Sequence, residues 1–118
     1  MPEQKDHYSY AEYAKRETAE GFEELRFGGP IGQYMRSRQE EQLVRWISEP
    51  KDRCILDIGA GTGRTAIPLA LAGARVTAAD ASDAMLEVAQ RNAKKAGANV
   101  EFTTCDVMDL PFEDHSFD

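Results

Sequence analysis

The stretch "ILDIGAGTGR", residues 55–64, decides how the rest of the chain is read. It opens as an apolar run, carries a carboxylate at Asp57, and breaks into glycines at positions 59, 61 and 63. A short apolar run that stops at a glycine turn reads as a buried strand. With Cys54 included, "CILDI" is the strand and the glycines form the turn after it. Residues 64–72, "RTAIPLALA", then read as a helix ended by Gly73, with Pro68 near the first turn, where a missing N–H is tolerated. "ARVTAAD", 74–80, is a second strand with Val76 and Ala78 on one face. "SDAMLEVAQRNAKKAG", 82–97, is a helix with Ser82 as N-cap and Gly97 as C-cap. Its inner stripe is Met85, Val88, Ala89, Asn92 and Ala96, and its acids come early and its bases late, as the helix dipole favours. "NVEFTTCD", 99–106, alternates as a third strand.

The order is strand, helix, strand, helix, strand. This predicts an α/β fold: a doubly wound parallel sheet, incomplete, with strands 1–3 joined by two crossover helices. Upstream, residues 8–26 read as an irregular helix with Tyr8, Tyr10, Tyr13 and Ala14 on its apolar side. The glycine cluster "FGGPIG", 27–32, divides the chain. A second helical stretch over 33–48 follows, with Leu43, Val44 and Ile47 in helical spacing and Met35 extending the line. Trp46 is expected to be packed beside that stripe, and Pro50 ends the helix. The expected organisation is a helical segment over 1–50 and a sheet-bearing segment over 51–118.

Bulk properties narrow the function. With 118 residues, 42% of them hydrophobic and 30% charged, the chain is one domain or part of one. The net charge of −7 falls mostly on residues 54–118, which hold ten acids against five bases. No basic stripe appears, so a nucleic acid partner is not expected. No run of 18 apolar residues exists, so no membrane span is expected. The first ten residues lack the apolar core of a signal peptide, which makes a cytoplasmic location the default. Cys54 and Cys105 are expected to be buried, reduced thiols, and no metal site is expected.

In open α/β sheets, ligands bind beyond the carboxyl ends of the strands. Here each of the three ends delivers an acid: Asp57, Asp80 and Asp106. A carboxylate ending the second strand suits a ribose, because it accepts from two vicinal hydroxyls. The glycines let a ligand approach the backbone. The dinucleotide fingerprint G-x-G-x-x-G is not met, because Arg64 stands at its third glycine. An acid at position 57 would also oppose a diphosphate.

"LDIGAGTG", "VTAADASDAMLEVAQRNAKKAG" and "CDVMDLPFEDHSFD" resemble the first three signature regions of class I S-adenosylmethionine-dependent methyltransferases. The type 11 methyltransferase domain, which includes ubiquinone and menaquinone biosynthesis C-methyltransferases, is the most similar group. The resemblance covers roughly residues 30–118, and the N-terminal helices resemble that family's variable lid. It implies a Rossmann-like fold, S-adenosylmethionine as cofactor and a small-molecule methyl acceptor. It also implies roles by position. Gly59, Ala60, Gly61 and Thr62 would pass under the methionine part, and Asp57 would hold its ammonium, directly or by fixing the loop. Asp80 would take the ribose hydroxyls, and Ala81 and Met85 would pack on the adenine. Asp106 would accept from the adenine amino group, and the Val107 N–H would reach a ring nitrogen. Tyr8, Tyr10 and Tyr13 read either as packing anchors or as a lid with one hydroxyl reaching the methionine carboxylate, and Arg36 and Arg38 read either as solvated helix residues or as partners of that carboxylate. No residue is identified as a catalytic base.

The resemblance also places a fourth strand after Asp118, beside "CILDI". Without it that strand is an open edge, a hazard for pairing. Three accounts follow: the N-terminal portion of a longer protein, a truncated chain, or a sheet completed by pairing or swapping with another copy. The isolated chain is expected to be either oligomeric or poorly stable, with weak or absent catalysis by the 118 residues alone. The alternatives are a non-catalytic S-adenosylmethionine-binding or assembly module and, less favoured by the glycine spacing, an NAD-dependent oxidoreductase.

Overall fold

The computed structural model describes residues 8–118, with the backbone alone described at 8–10 and 23–27. Three helices come first: α1 (Tyr8–Tyr13), α2 (Arg16–Phe27) and α3 (Gly29–Trp46). Then strands and helices alternate: β1 (Cys54–Ile58), α4 (Ala66–Leu71), β2 (Arg75–Asp80), α5 (Asp83–Ala96) and β3 (Val100–Thr104). The strands form one parallel sheet in the order β1-β2-β3. This is the expected architecture, and its ends differ from the sequence reading by one or two residues at most strands.

The register explains where the core lies. Ile55, Val76 and Val100 stand side by side across the sheet, as do Asp57, Ala78 and Phe102. Alternation sends these rows to one face. Val76 and Ala78 are buried there with Ala66 and Leu69 of α4, and Ile55, Val100 and Phe102 pack against the same cluster. Leu69 is 1% exposed. Burying a leucine side chain contributes about 1.5–3 kcal/mol. Asp57 therefore shares a row with core residues, which sets up its unusual environment. A second cluster joins Met85 and Val88 of α5 to Ala19 of α2, with Tyr13 and Phe22 packed against it. This cluster holds the N-terminal helices on α5.

The capping of α5 follows the sequence. Ser82 Oγ accepts from Met85 N at 3.2 Å, and Gly97 ends the helix at φ 73°. Ser82 Oγ also donates to the Tyr13 carbonyl at 2.5 Å, so the cap ties α1 to the start of α5.

Several expectations are corrected. The upstream helix breaks at residues 14–15, where Lys15 N donates to Glu12 O. The glycine cluster divides the helices as expected, but at Gly28 alone; α3 already begins at Gly29, and Pro30 sits in its first turn, where it has no bond to lose. Trp46 is 76% exposed and Met35 is 50% exposed. Leu43 and Ile47 take the inner line, and Trp46 lies about 100° round the helix from Ile47. On α5, Met85, Val88 and Ala89 are buried as expected; Leu86 and Ala93 are buried with them, and Ala96 is exposed. Cys54 and Cys105 are free thiols but only half-buried, because one lies at a sheet edge and the other just past a strand end. Residues 61–65 form turns, and α4 starts at Ala66.

At the free side of β1, Asp118 N donates to Cys54 O at 2.7 Å and Cys54 N donates to Asp118 Oδ2 at 2.8 Å. The residues after β3 thus lead back to the edge that the sequence reading marks as open. Phe112 and Phe117 meet edge to face on the way, with ring centroids 5.2 Å apart.

Candidate functional site

The glycine turn is built onto the end of β2. Gly59 N and Ala60 N both donate to Ala79 O, at 2.8 and 3.1 Å. Gly61 N donates to Asp80 Oδ2 at 2.9 Å, while Ser82 N donates to Asp80 Oδ1 at 2.9 Å. One carboxylate therefore fixes two loops. Asn92 of α5 adds a third tie, with Nδ2 donating to Thr62 O at 3.1 Å. Two of the glycines are required by geometry. Gly61 has φ 56°, and a Cβ there would stand 3.2 Å from Met85 Cε. Gly63 has φ 89°, and a Cβ there would stand 3.0 Å from Ile67 Cδ1. L side chains rarely adopt such φ values.

The turn opens onto a cavity of about 390 Å³. Its walls include Asp57, Gly59, Ala60, Gly61, Thr62, Asp80 and Met85. These are seven of the ten residues assigned to cofactor binding from the sequence. Ala81 and Val107 line an adjoining hollow of about 250 Å³, which shares Gly59 and Asp80 with the first. Asp106 lines neither space. Its Oδ1 accepts from Met108 N at 2.9 Å and its carbonyl accepts from Asp109 N, so it organises its own turn.

The lid candidates fare differently. The side chains of Tyr8 and Tyr10 lie outside the described residues. Arg36 does not line the cavity; its Nε donates to Glu40 Oε1 at 3.0 Å, over a groove floored by Val44, Ile67, Pro68 and Leu71. Tyr13, considered with Tyr8 and Tyr10 for the lid, lines the wall, and three further wall residues have no cofactor role in the sequence reading: Phe22, Arg64 and Thr65. Tyr13 and Phe22 meet edge to face with ring centroids 6.2 Å apart. The sequence reading also misses Asn92 as a loop anchor, although an amide within an apolar helical stripe is a legible signal of a polar partner.

The electrostatics centre on Asp57. Burial, and then the charge of Asp80, push its carboxyl up to about 6, against a backbone hydrogen bond from Ala66 that pulls the other way. Its Oδ2 is buried with no hydrogen-bond partner. A buried polar atom left in this state costs about 1–3 kcal/mol. The site thus offers two carboxylates and a run of backbone around a concave space. Such a set suits a ligand bearing a positive charge and hydroxyl donors. Among the described residues no cluster of metal-ligating side chains occurs.

Fold and site together define a nucleoside-cofactor-binding α/β domain. Comparison with known proteins narrows this class. The family model for a methyltransferase domain matches residues 55–118, over half of the chain, and the chain belongs to that family. The demethylmenaquinone methyltransferase of Clavibacter sepedonicus is 54% identical over 65 residues, covering 54% of this chain and 26% of that protein. An S-adenosyl-L-methionine-dependent Diels–Alderase of Talaromyces variabilis is 35% identical over 113 residues, covering 83% of this chain and 38% of that protein. Among solved structures, the magnesium protoporphyrin IX methyltransferase of Synechocystis with bound S-adenosylmethionine is 32% identical. It matches 66% of this chain and 38% of that one, with a TM-score of 0.55. The chain spans between a quarter and two fifths of the curated relatives named here.

Proposed function

We propose that this chain carries the cofactor-binding part of an S-adenosylmethionine-dependent methyltransferase acting on a small molecule. One observation carries the reading: Asp57 and Asp80 face one cavity beside the glycine turn, and Asp57 has a buried oxygen without a partner. An ammonium group is the ligand feature that would satisfy that oxygen. The residues fit the cofactor chemically. Asp57 would bind the ammonium, the backbone of residues 59–62 would lie along the methionine part, and Asp80 would accept from ribose hydroxyls. Asp80 has lone pairs for this beyond those taken by Gly61 N and Ser82 N, since a carboxylate offers about four. Met85, Ala81 and Val107 would pack on the adenine, with Asp106 holding the turn that presents Val107. Tyr13 and Phe22 would exclude water from one side, so residues 1–50 act as a lid segment and 51–118 as the binding segment.

The cofactor supplies an activated methyl group on a sulfonium. The protein's part is to hold an acceptor atom in line with it. The small-molecule acceptor is supported by relatives named for quinone and porphyrin methylation. The two free thiols accord with a cytoplasmic setting, and no helix among the described residues is long and apolar enough to cross a membrane.

A second reading has a specific support. A relative that matches 83% of this chain is named a Diels–Alderase that depends on the same cofactor. In that reading the cofactor is held without methyl transfer. Calorimetry with S-adenosylhomocysteine and with NAD tests the ligand class: binding of the first alone is expected, and binding of NAD alone would overturn the proposal. Conversion of S-adenosylmethionine to S-adenosylhomocysteine during turnover of an acceptor separates the two readings.

A further inference from the structure

We propose that α1 and α2 form a flap latched to α5 by a two-rung charge ladder, and that this latch sets how long the ligand stays in the cavity. The proposal rests on the ligand reading given above and adds what holds the site closed. Arg16 Nη1 lies 2.8 Å from Glu87 Oε2, and Arg91 Nη2 lies 3.4 Å from Glu20 Oε1. Both rungs step by four residues along α2 and along α5, so about one helical turn separates them on each helix. The order of charge is reversed between the two helices. Sliding α2 by one turn sets Arg16 against Arg91 in one direction and Glu20 against Glu87 in the other. Each slip exchanges an attraction for a repulsion, so the ladder favours one seating of the flap.

That seating is the one that completes the cavity. Tyr13 and Phe22 of the flap line its wall, and Met85 belongs both to the wall and to the cluster that seats α2. Ala19, between the two rungs, is 0% exposed against Met85 and Val88. An alanine buries only a methyl group, so the flanking charges weigh in the balance. The flap moves as one piece, because Glu12 accepts from Lys15 Nζ and from Thr18 Oγ1, each at 2.8 Å, across the bend between α1 and α2. It is also tied to the ligand-facing loops. Ser82 Oγ donates to the Tyr13 carbonyl, while Ser82 N donates to Asp80 Oδ1. The four ladder side chains are between 48% and 65% exposed. Ion pairs of this kind are weak singly and screened by salt, which suits a contact that has to open for ligand exchange.

The test exchanges the two charges of α2 in the full chain, Arg16→Glu with Glu20→Arg, which alters neither composition nor net charge. Two quantities are read: amide hydrogen exchange over residues 16–22 without ligand, and the dissociation rate of S-adenosylhomocysteine. Both should rise about threefold to tenfold in the swapped chain. Adding the matching exchange on α5, Glu87→Arg with Arg91→Glu, should bring both back to within about twofold of wild type. Salt should act with opposite sign in the two chains. Between about 0.05 and 0.5 M it should speed exchange and dissociation in the wild type, where it screens attraction, and slow them in the swapped chain, where it screens repulsion. A swapped chain that behaves as the wild type overturns the proposal, as does a fourfold variant that does not recover. Wild-type exchange over residues 16–22 that ignores salt overturns it without any variant. If S-adenosylhomocysteine does not bind the wild-type chain, the ligand reading fails and the proposal falls with it. Binding with a dissociation rate unmoved by the swap overturns the proposal alone.

Discussion

Replacing Asp57 by asparagine should make the ligand-free protein more stable at neutral pH. The carboxyl is raised from its ordinary value of 3.8 to about 6, chiefly by burial and then by Asp80. Between those values the folded chain holds a proton that the unfolded chain has released. Unfolding then frees a proton, so stability falls as pH rises through this window. Above about pH 6 the folded state carries a desolvated charge, and the full penalty applies. A rise of this size corresponds to roughly 3 kcal/mol. The asparagine side chain keeps an acceptor for the Ala66 N–H and never ionises. The variant should therefore gain up to about 3 kcal/mol at pH 8 and nothing at or below about pH 3.8. The gain at pH 8 corresponds to a rise in Tm on the order of 10 °C. Urea denaturation of both proteins from pH 4 to pH 8 measures the difference directly, and other titrating groups cancel. A difference that does not change with pH, or a variant less stable at pH 8, would refute the reasoning.

Three further outcomes are expected. The affinity for S-adenosylhomocysteine should fall about tenfold from pH 7 to pH 5 as Asp57 gains its proton, and should be flat in Asp57→Asn; calorimetry at several pH values reads this. Gly61→Ala should cost about 1–2 kcal/mol, because its φ of 56° disfavours an L side chain and the methyl meets Met85 Cε at 3.2 Å; denaturation and ligand titration together check the loop geometry. Trp46→Ala should change stability by no more than about 0.5 kcal/mol, since the indole is 76% exposed, whereas Leu69→Ala should cost about 2–5 kcal/mol; equal losses would mean the indole is packed.

What the sequence discloses here depends on how local the cause is. The Ser82 cap and the Gly97 stop are legible because each is fixed by residues within one turn of itself, and the β1 turn is legible from its glycines although Ala79, Asp80 and Asn92 hold it. The sheet order follows from the alternation of elements. Trp46 is misplaced by its spacing because its exposure depends on which face of α3 meets α2 and α4, and α3 buries no residue fully. The thiols are placed too deep for a similar reason, since an edge strand and a strand end look as apolar as an interior one. The contacts of Arg64 with Gln39, and of Tyr13 with Ser82 and Phe22, span long separations that no local spacing reveals. Asp57 and Asp80 both stand out as ligand residues, but their division of labour depends on hydrogen bonds that no spacing reveals.

That division of labour explains why Asp57 is present at all. A purely architectural acid at this turn would use both oxygens, as Asp80 does with Gly61 N and Ser82 N. The loop is already held by Asp80, by Ala79 O and by Asn92. Asp57 instead keeps one oxygen buried without a partner, in a row whose neighbours are Ala78 and Phe102. An apolar residue there would serve the core better. On the proposed reading, the roughly 3 kcal/mol that this carboxylate costs the free protein above pH 6 would be returned when a cation binds, because the ligand would restore an ordinary ionisation. At pH 8 that return corresponds to about 100-fold in affinity. Stability and affinity should therefore move in opposite directions in Asp57→Asn, firmer folding with roughly 100-fold weaker binding. A residue that was only structural would lose both together.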